Sequence, residues 1–195
     1  MKFFIIGLHG SNKHEVATEL EKMGMKYGKT FSSQINPNIY GDFEQYNGKD
    51  INEVFENNAY IYMHEIIYKN SMNTYKYFEG LSQYTYDNND VFILSPDQLL
   101  SIPSTFIPED VVFVWLDNTK SRRYNTYMDE NRNYDFLSRE QLEKRDIKEF
   151  VKSIYDLAGG KLLYFTNEVP QRISTIIYSI HKHPDLLNIY LENFK

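Results

Sequence analysis

The stretch Phe3-Phe4-Ile5-Ile6-Gly7-Leu8-His9-Gly10-Ser11-Asn12-Lys13-His14 decides how the rest of the chain is read. Residues 3–6 are a short unbroken apolar run, the pattern of a strand buried on both faces of a parallel sheet. Residues 7–13 form a small glycine-bearing loop that ends on a lysine. Residues 15–23 then carry Val16, Ala17, Leu20 and Met23 at helical spacing, and Gly24 supplies a stop. Strand, glycine loop with lysine, helix is the layout of a phosphate-binding P-loop, usually spelled GxxxxGK[ST]. Gly7 and Lys13 hold their places, Asn12 stands where the second glycine belongs, and His14 replaces the Ser or Thr.

A phosphate seat needs backbone N–H groups around the oxygens and a cation beside them. Lys13 supplies the cation, backed by the start of its helix. Gly7 and Gly10 permit close backbone approach, and Asn12 adopts positive φ more readily than most residues. Ser11 offers a hydroxyl one position short of the usual Mg²⁺-liganding place. His14 is a poor substitute there, because Mg²⁺ prefers hard oxygen ligands. A plain β–α turn that requires small residues fits the same string, and both readings stand at this point.

Outward from this loop, 195 residues with 42% hydrophobic content suffice for one domain with a sizeable core. The 17 tyrosines and 13 phenylalanines sit among many Asn, Lys and Ile, which reads as coding bias rather than as a functional signal. A net charge of −6 argues against a nucleic-acid partner. With no cysteine there is neither a disulfide nor a thiolate metal site, as suits a reducing compartment. The N-terminal apolar run is too short for a signal segment, and no stretch is long and apolar enough to span a bilayer. The expectation is a soluble cytoplasmic protein.

Strand candidates fall at residues 3–6, 26–31, 91–94, 111–116 and 162–165, mostly separated by helical patterns, which predicts an α/β fold with a parallel sheet. Residues 50–56 read as a short amphipathic helix, 59–68 as a Tyr-rich extended stretch, and 74–84 as a helix with Tyr77, Phe78 and Leu81 inward. Ser138-Arg139-Glu140-Gln141 is a capping box for a helix ending near Gly159-Gly160. Pro170 suits the first turn of a helix bearing Ile173, Ile176, Ile177 and Ile180, and a last helix spans residues 184–194.

In order and spacing these segments resemble guanylate kinase, within the P-loop nucleoside monophosphate kinases. Residues 49–58 look like that family's short helix in its monophosphate-binding subdomain. Asn70-Ser71-Met72-Asn73-Thr74 is similar to its GNxYGT segment, with Asn70 and Thr74 on the matching Asn and Thr. Phe165-Thr166-Asn167 resembles the end of its fifth strand, where the family's Asn lies near the donor base. The resemblance implies a five-stranded core over 1–31, 76–118 and 147–195, an inserted subdomain over 32–75, and a lid over 119–146. The family's STTR element corresponds at best to residues 30–34 and lacks its arginine; no Arg occurs between Thr30 and Tyr68. The family's guanine-reading Glu falls at Met63, with Glu65 off register. These departures point to an acceptor other than GMP.

The resemblance thus implies a nucleoside or deoxynucleoside monophosphate kinase that uses ATP with Mg²⁺. The alternative is a kinase-like chain without catalysis, serving as a nucleotide-binding or protein-interaction module; a third reading keeps the loop and takes a nucleoside or other small molecule as acceptor. Candidate catalytic residues are Lys13, Arg122 and Arg132. Gly7, Gly10, Ser11, Asn12, Lys13, His14 and Asn167 would hold the nucleotide, and Ser33, Asn70, Thr74 and Asp97 the acceptor. Arg122, Arg123, Arg132 and Arg139 crowd one polar stretch that reads equally as a phosphate-closing lid or as a solvated surface balanced by acidic residues. Asp97 follows the third strand, at the edge where such sheets bind ligands, although an Asp after Pro also serves as a turn residue. The five histidines form no metal-ligand spacing, and neither a GxSxG elbow nor a nucleophilic cysteine is present.

Overall fold

In chain order the elements are β1 (Lys2–Gly7), α1 (Lys13–Lys22), β2 (Tyr27–Gly28), β3 (Thr30–Ser32), β4 (Phe43–Gln45), β5 (Tyr60–Lys69), β6 (Thr74–Ser82) and α2 (Gln83–Asn88). They continue with β7 (Val91–Leu94), α3 (Pro96–Leu100), β8 (Val111–Asp117), α4 (Lys120–Asp129), β9 (Leu162–Thr166), α5 (Pro170–Lys182) and α6 (Leu186–Glu192). The computed structural model describes residues 1–8, 10–32, 43–45, 60–69, 74–100, 109–129, 152–154 and 156–192. The expected helix at 50–56 and the capping box at 138–141 lie outside these.

β1 is the middle strand of a five-stranded, all-parallel sheet of order β2-β7-β1-β8-β9. Its apolar run alternates between two cores. Phe3 and Ile5 join Val112, Val114, Leu163 and the α1 and α5 residues Val16, Leu20, Ile173 and Ile177. Phe4 and Ile6 face the other way, among Phe92, Phe113, Trp115, Leu99 and Ile154. A strand covered on both faces must be apolar at every position, which is why the run is continuous rather than alternating. In the second core the Phe4 ring meets Phe92 and Phe113 edge-on at centroid distances of 5.5 and 5.7 Å, the arrangement the ring quadrupoles favour.

The amino end of the sheet is pinned by Lys2. Its ammonium donates to the carbonyls of Tyr86 (2.5 Å) and Asn89 (2.7 Å) at the close of α2, the end of a helix that favours a cation. The Tyr86 hydroxyl donates to Asp110 just before β8.

A second, mixed sheet has the order β4-β3-β6-β5. It corrects two expectations. Residues 26–31 are not one strand: β2 pairs with β7 in the parallel sheet, whereas β3 pairs with β4 and β6 in the second. Local pattern cannot tell which sheet a strand will join. Residues 74–84 are not a helix: β6 runs to Ser82, antiparallel to β5, from Thr74 opposite Lys69 to Ser82 opposite Tyr60. Tyr77, Phe78 and Leu81 fit a helical face, but the neighbouring β5 supplies a hydrogen-bonded ladder, and aromatic residues suit strands. The helix begins only at α2, where the Ser82 hydroxyl accepts from the Thr85 amide at 3.1 Å. The extended stretch expected over 59–68 is β5, and the remaining strand candidates coincide with β1, β7, β8 and β9. Among the described residues no helix is long and apolar enough to cross a membrane.

Ile177 of α5 is fully buried between α5 and the sheet. Ile177→Ala is expected to lower unfolding free energy by about 2–5 kcal/mol in urea titrations. Tyr84→Ala, at an exposed site, should change it by less than about 0.5 kcal/mol.

Candidate functional site

β1 ends at Gly7, which pairs across the ladder with Leu116 of β8. The loop that follows emerges at the carboxyl edge of the sheet, between β1 and β8. There the chain connections diverge, from β1 to α1 and β2 on one side and from β8 to α4 and β9 on the other. Open α/β sheets bind ligands at this kind of switch point.

The loop can close only with its glycines. A Cβ on Gly7 would lie 2.4 Å from Ser11 Oγ and 2.8 Å from the Leu116 carbonyl oxygen. Gly10 has φ +75°, and a Cβ there would lie 2.4 Å from the Arg123 carbonyl oxygen. The Ser11 amide donates to the Leu8 carbonyl at 3.1 Å, and Ser11 is only 2% exposed. Asn12 takes the left-handed conformation, φ 66° and ψ 27°, so it performs the turn that a glycine would otherwise make. Its carbonyl accepts from the Val16 amide at 3.1 Å and starts α1. The helix therefore begins at Lys13, two residues before the expected start. The Lys13 ammonium is folded back over its own loop, donating to the carbonyls of Gly7 (2.7 Å) and Leu8 (2.9 Å), with Ser11 Oγ at 3.4 Å.

Helix α4 walls the loop on the β8 side. Thr126 Oγ1 donates to Asn12 Oδ1 at 2.8 Å. Arg123 is buried to 5% exposure, and its Nε donates to the Asn118 carbonyl at 3.2 Å. The Arg122 guanidinium donates to the Asn167 carbonyl. Asn167 itself has φ 51°; its amide donates to the Asp117 carbonyl (2.9 Å), and its Oδ1 accepts from the Thr119 amide (2.9 Å). The end of β9 is thereby tied to the end of β8 and to the start of α4. Beside this knot the Tyr164 hydroxyl donates to Asp117 Oδ2. Desolvation first, then this bond and the negative charge of Asp117, push the Tyr164 phenol from 10.0 up to about 12.

The structure therefore gathers Gly7, Gly10, Ser11, Asn12 and Lys13 into one loop, with half-buried His14 as the second residue of α1. Arg122 and Asn167 meet each other beside it. Asp97 lies in the first turn of α3, just past β7 on the other side of β1, and Thr74 opens β6 in the second sheet. Ser33, Asn70 and Arg132 fall outside the described residues. The sequence reading passed over Asp117, Tyr164 and Thr126. Asp117 closes the most apolar strand at the ligand edge, so its position was a usable signal. Thr126 meets Asn12 only in the folded chain.

Whether these residues fit a protein-held Mg²⁺ can be judged from the donors. His14 brings a nitrogen to the usual hydroxyl position. Ser11, the sole hydroxyl of residues 7–14, is buried in the loop, and the Asp117 carboxylate is engaged by Tyr164. Mg²⁺ prefers hard oxygen ligands, so His14 and the buried Ser11 do not offer the ion the hydroxyl of the standard loop.

A parallel sheet that runs 2-3-1-4-5 in its own strand count, with a glycine loop and lysine after the middle strand, defines the P-loop kinase-type α/β fold. The structure is similar to that of guanylate kinase from Anaplasma phagocytophilum, at 14% identity, with 92% of this chain and 83% of that one covered and a TM-score of 0.52. A shikimate kinase from Acinetobacter baumannii, in complex with shikimate, aligns over 95% of this chain and 94% of its own at 14% identity, with a TM-score of 0.43; only the first of the two bears on the fold. No protein-family model matches the sequence, and no curated protein matches it.

Burial of the Tyr164 phenol, together with its bond to Asp117, gives a pH signature. A phenol whose pKa is raised on folding contributes stability that is complete below pH 10 and is lost as pH rises through about 12. Wild type should exceed Tyr164→Phe in urea midpoint at pH 8 and 9, and the gap should shrink between pH 10 and 12. A gap that stays constant to pH 12 would show that burial and Asp117 do not raise the phenol.

Proposed function

We propose that this chain is a phosphotransferase of the nucleoside monophosphate kinase type, acting on a nucleoside or deoxynucleoside monophosphate other than GMP. The observation that carries the reading is the loop itself. Two left-handed residues, Gly10 and Asn12, and the inward-folded Lys13 sit at the switch point of the sheet, at the start of a helix. Backbone amides and an ammonium converging at such a place suit the terminal phosphates of ATP. The donor is proposed to arrive as MgATP, with the ion carried as part of the substrate. Lys13 would exchange the Gly7 and Leu8 carbonyls for phosphate oxygens. An acceptor phosphate oxygen would attack the γ-phosphorus as the bond to the β-phosphate oxygen breaks, giving ADP and a nucleoside diphosphate.

Arg122 and Arg132 are assigned to the transferred charge, and Ser33, Asn70, Thr74 and Asp97 to the acceptor. Arg122 would have to release the Asn167 carbonyl to reach a phosphate, which makes its engagement a closing step. The absence of arginine between Thr30 and Tyr68 supports an acceptor other than GMP. With no cysteine in the chain, the cytoplasm is the compartment proposed.

A second reading, a nucleotide-binding module without catalysis, is favoured by one feature: His14 at the hydroxyl position of the loop. Turnover separates the two. The kinase reading expects at least one common (deoxy)nucleoside monophosphate to be converted to its diphosphate with ATP, and Lys13→Ala to lower kcat by on the order of 10²–10³. ATP binding by calorimetry with no turnover across the whole panel would favour the module and sink the kinase.

A further inference from the structure

An asparagine just before the first turn of a helix ordinarily folds its side-chain oxygen onto an amide two or three residues ahead and caps the helix. Asn12 does not. It makes no side-chain cap to α1, and its Oδ1 instead accepts from Thr126 Oγ1 at 2.8 Å, a residue 114 positions later on α4. The same face of α4, one turn earlier, places the Arg123 carbonyl against Gly10. The loop and α4 thus touch at residues three apart on the helix, which are neighbours on its surface.

We propose that Thr126 is a positioning residue for the phosphate loop. Its hydroxyl draws the Asn12 carboxamide against α4 and keeps it off the first turn of α1, the place the γ- and β-phosphates take in the kinase reading on which this proposal rests. An asparagine in the glycine place of the loop is compatible with a phosphate seat only if its side chain is held elsewhere, and Thr126 holds it. The Thr126 hydroxyl also lies 3.2 Å from the Arg122 carbonyl, the local bond a threonine makes within a helix. The contact to Asn12 is the shorter of the two. Asn12 and Thr126 therefore act as a pair, and a glycine at position 12 removes the need for Thr126.

The test is a double-mutant cycle on the full chain with Thr126→Val, Asn12→Gly and the double variant, read by hydrogen exchange of the 7–14 amides without nucleotide and by ATP affinity in calorimetry. Thr126→Val should speed exchange of the loop and weaken ATP by about tenfold, with Thr126→Ser restoring both. In the Asn12→Gly background the same Thr126→Val change should alter neither. Equal effects of Thr126→Val in both backgrounds, or no effect in the parent chain, overturn the proposal in favour of a purely local role in α4. If the parent chain binds no ATP, the kinase reading falls, and the exchange measurements still decide whether Thr126 holds the loop through Asn12.

Discussion

The two-sided burial of β1 is the constraint on which the rest of the molecule depends. Phe3 and Ile5 are fully buried on one face and Phe4 and Ile6 on the other, so neither face of the strand can meet water. It requires helices over both faces, and its pairing with β7 and β8 as parallel neighbours puts it at the centre. There the chain leaving Gly7 has one exit, at the carboxyl edge between strands whose connections diverge. Fold and site are thus linked: the run that needs both faces covered also leads into the glycine loop, at the place where a ligand fits.

At that place the loop is shaped as much by α4 as by its own residues. Gly10 is required because the Arg123 carbonyl would meet any Cβ. Asn12 supplies the second left-handed turn and lends its side chain to Thr126. Arg122, one residue before Arg123, anchors α4 to the Asn167 carbonyl at the end of β9. These contacts link the loop to the two strand ends on its far side, so a movement of α4 would be felt in the loop. A positive charge folded onto carbonyls, as Lys13 is on Gly7 and Leu8, keeps the lysine beside its amides before any anion arrives.

The sequence made the parallel sheet legible because most of its strands are short and largely buried, which local apolar runs report directly. β1, β7, β8 and β9 all have this character. The loop was legible because glycine, lysine and a following helix carry positional meaning on their own. The second sheet was not. Tyr77, Phe78 and Leu81 are spaced for a helix as well as for a strand, and only the pairing with β5 decides. The split after Gly28 is likewise a matter of which neighbour a strand finds. Long-range polar contacts were beyond reach for the same reason: nothing near Asn12 announces Thr126, and nothing near Asp117 announces Tyr164.

The central claim, that residues 7–13 form a phosphate cradle, is tested most directly by solving the structure of the chain with a non-hydrolysable ATP analogue. The account predicts triphosphate density against the amides at the start of α1, with the Lys13 ammonium moved from the Gly7 and Leu8 carbonyls onto the phosphate oxygens and Asn12 still on Thr126. Nucleotide bound elsewhere, or none bound at saturating concentration with Lys13 still on its own loop, would contradict it.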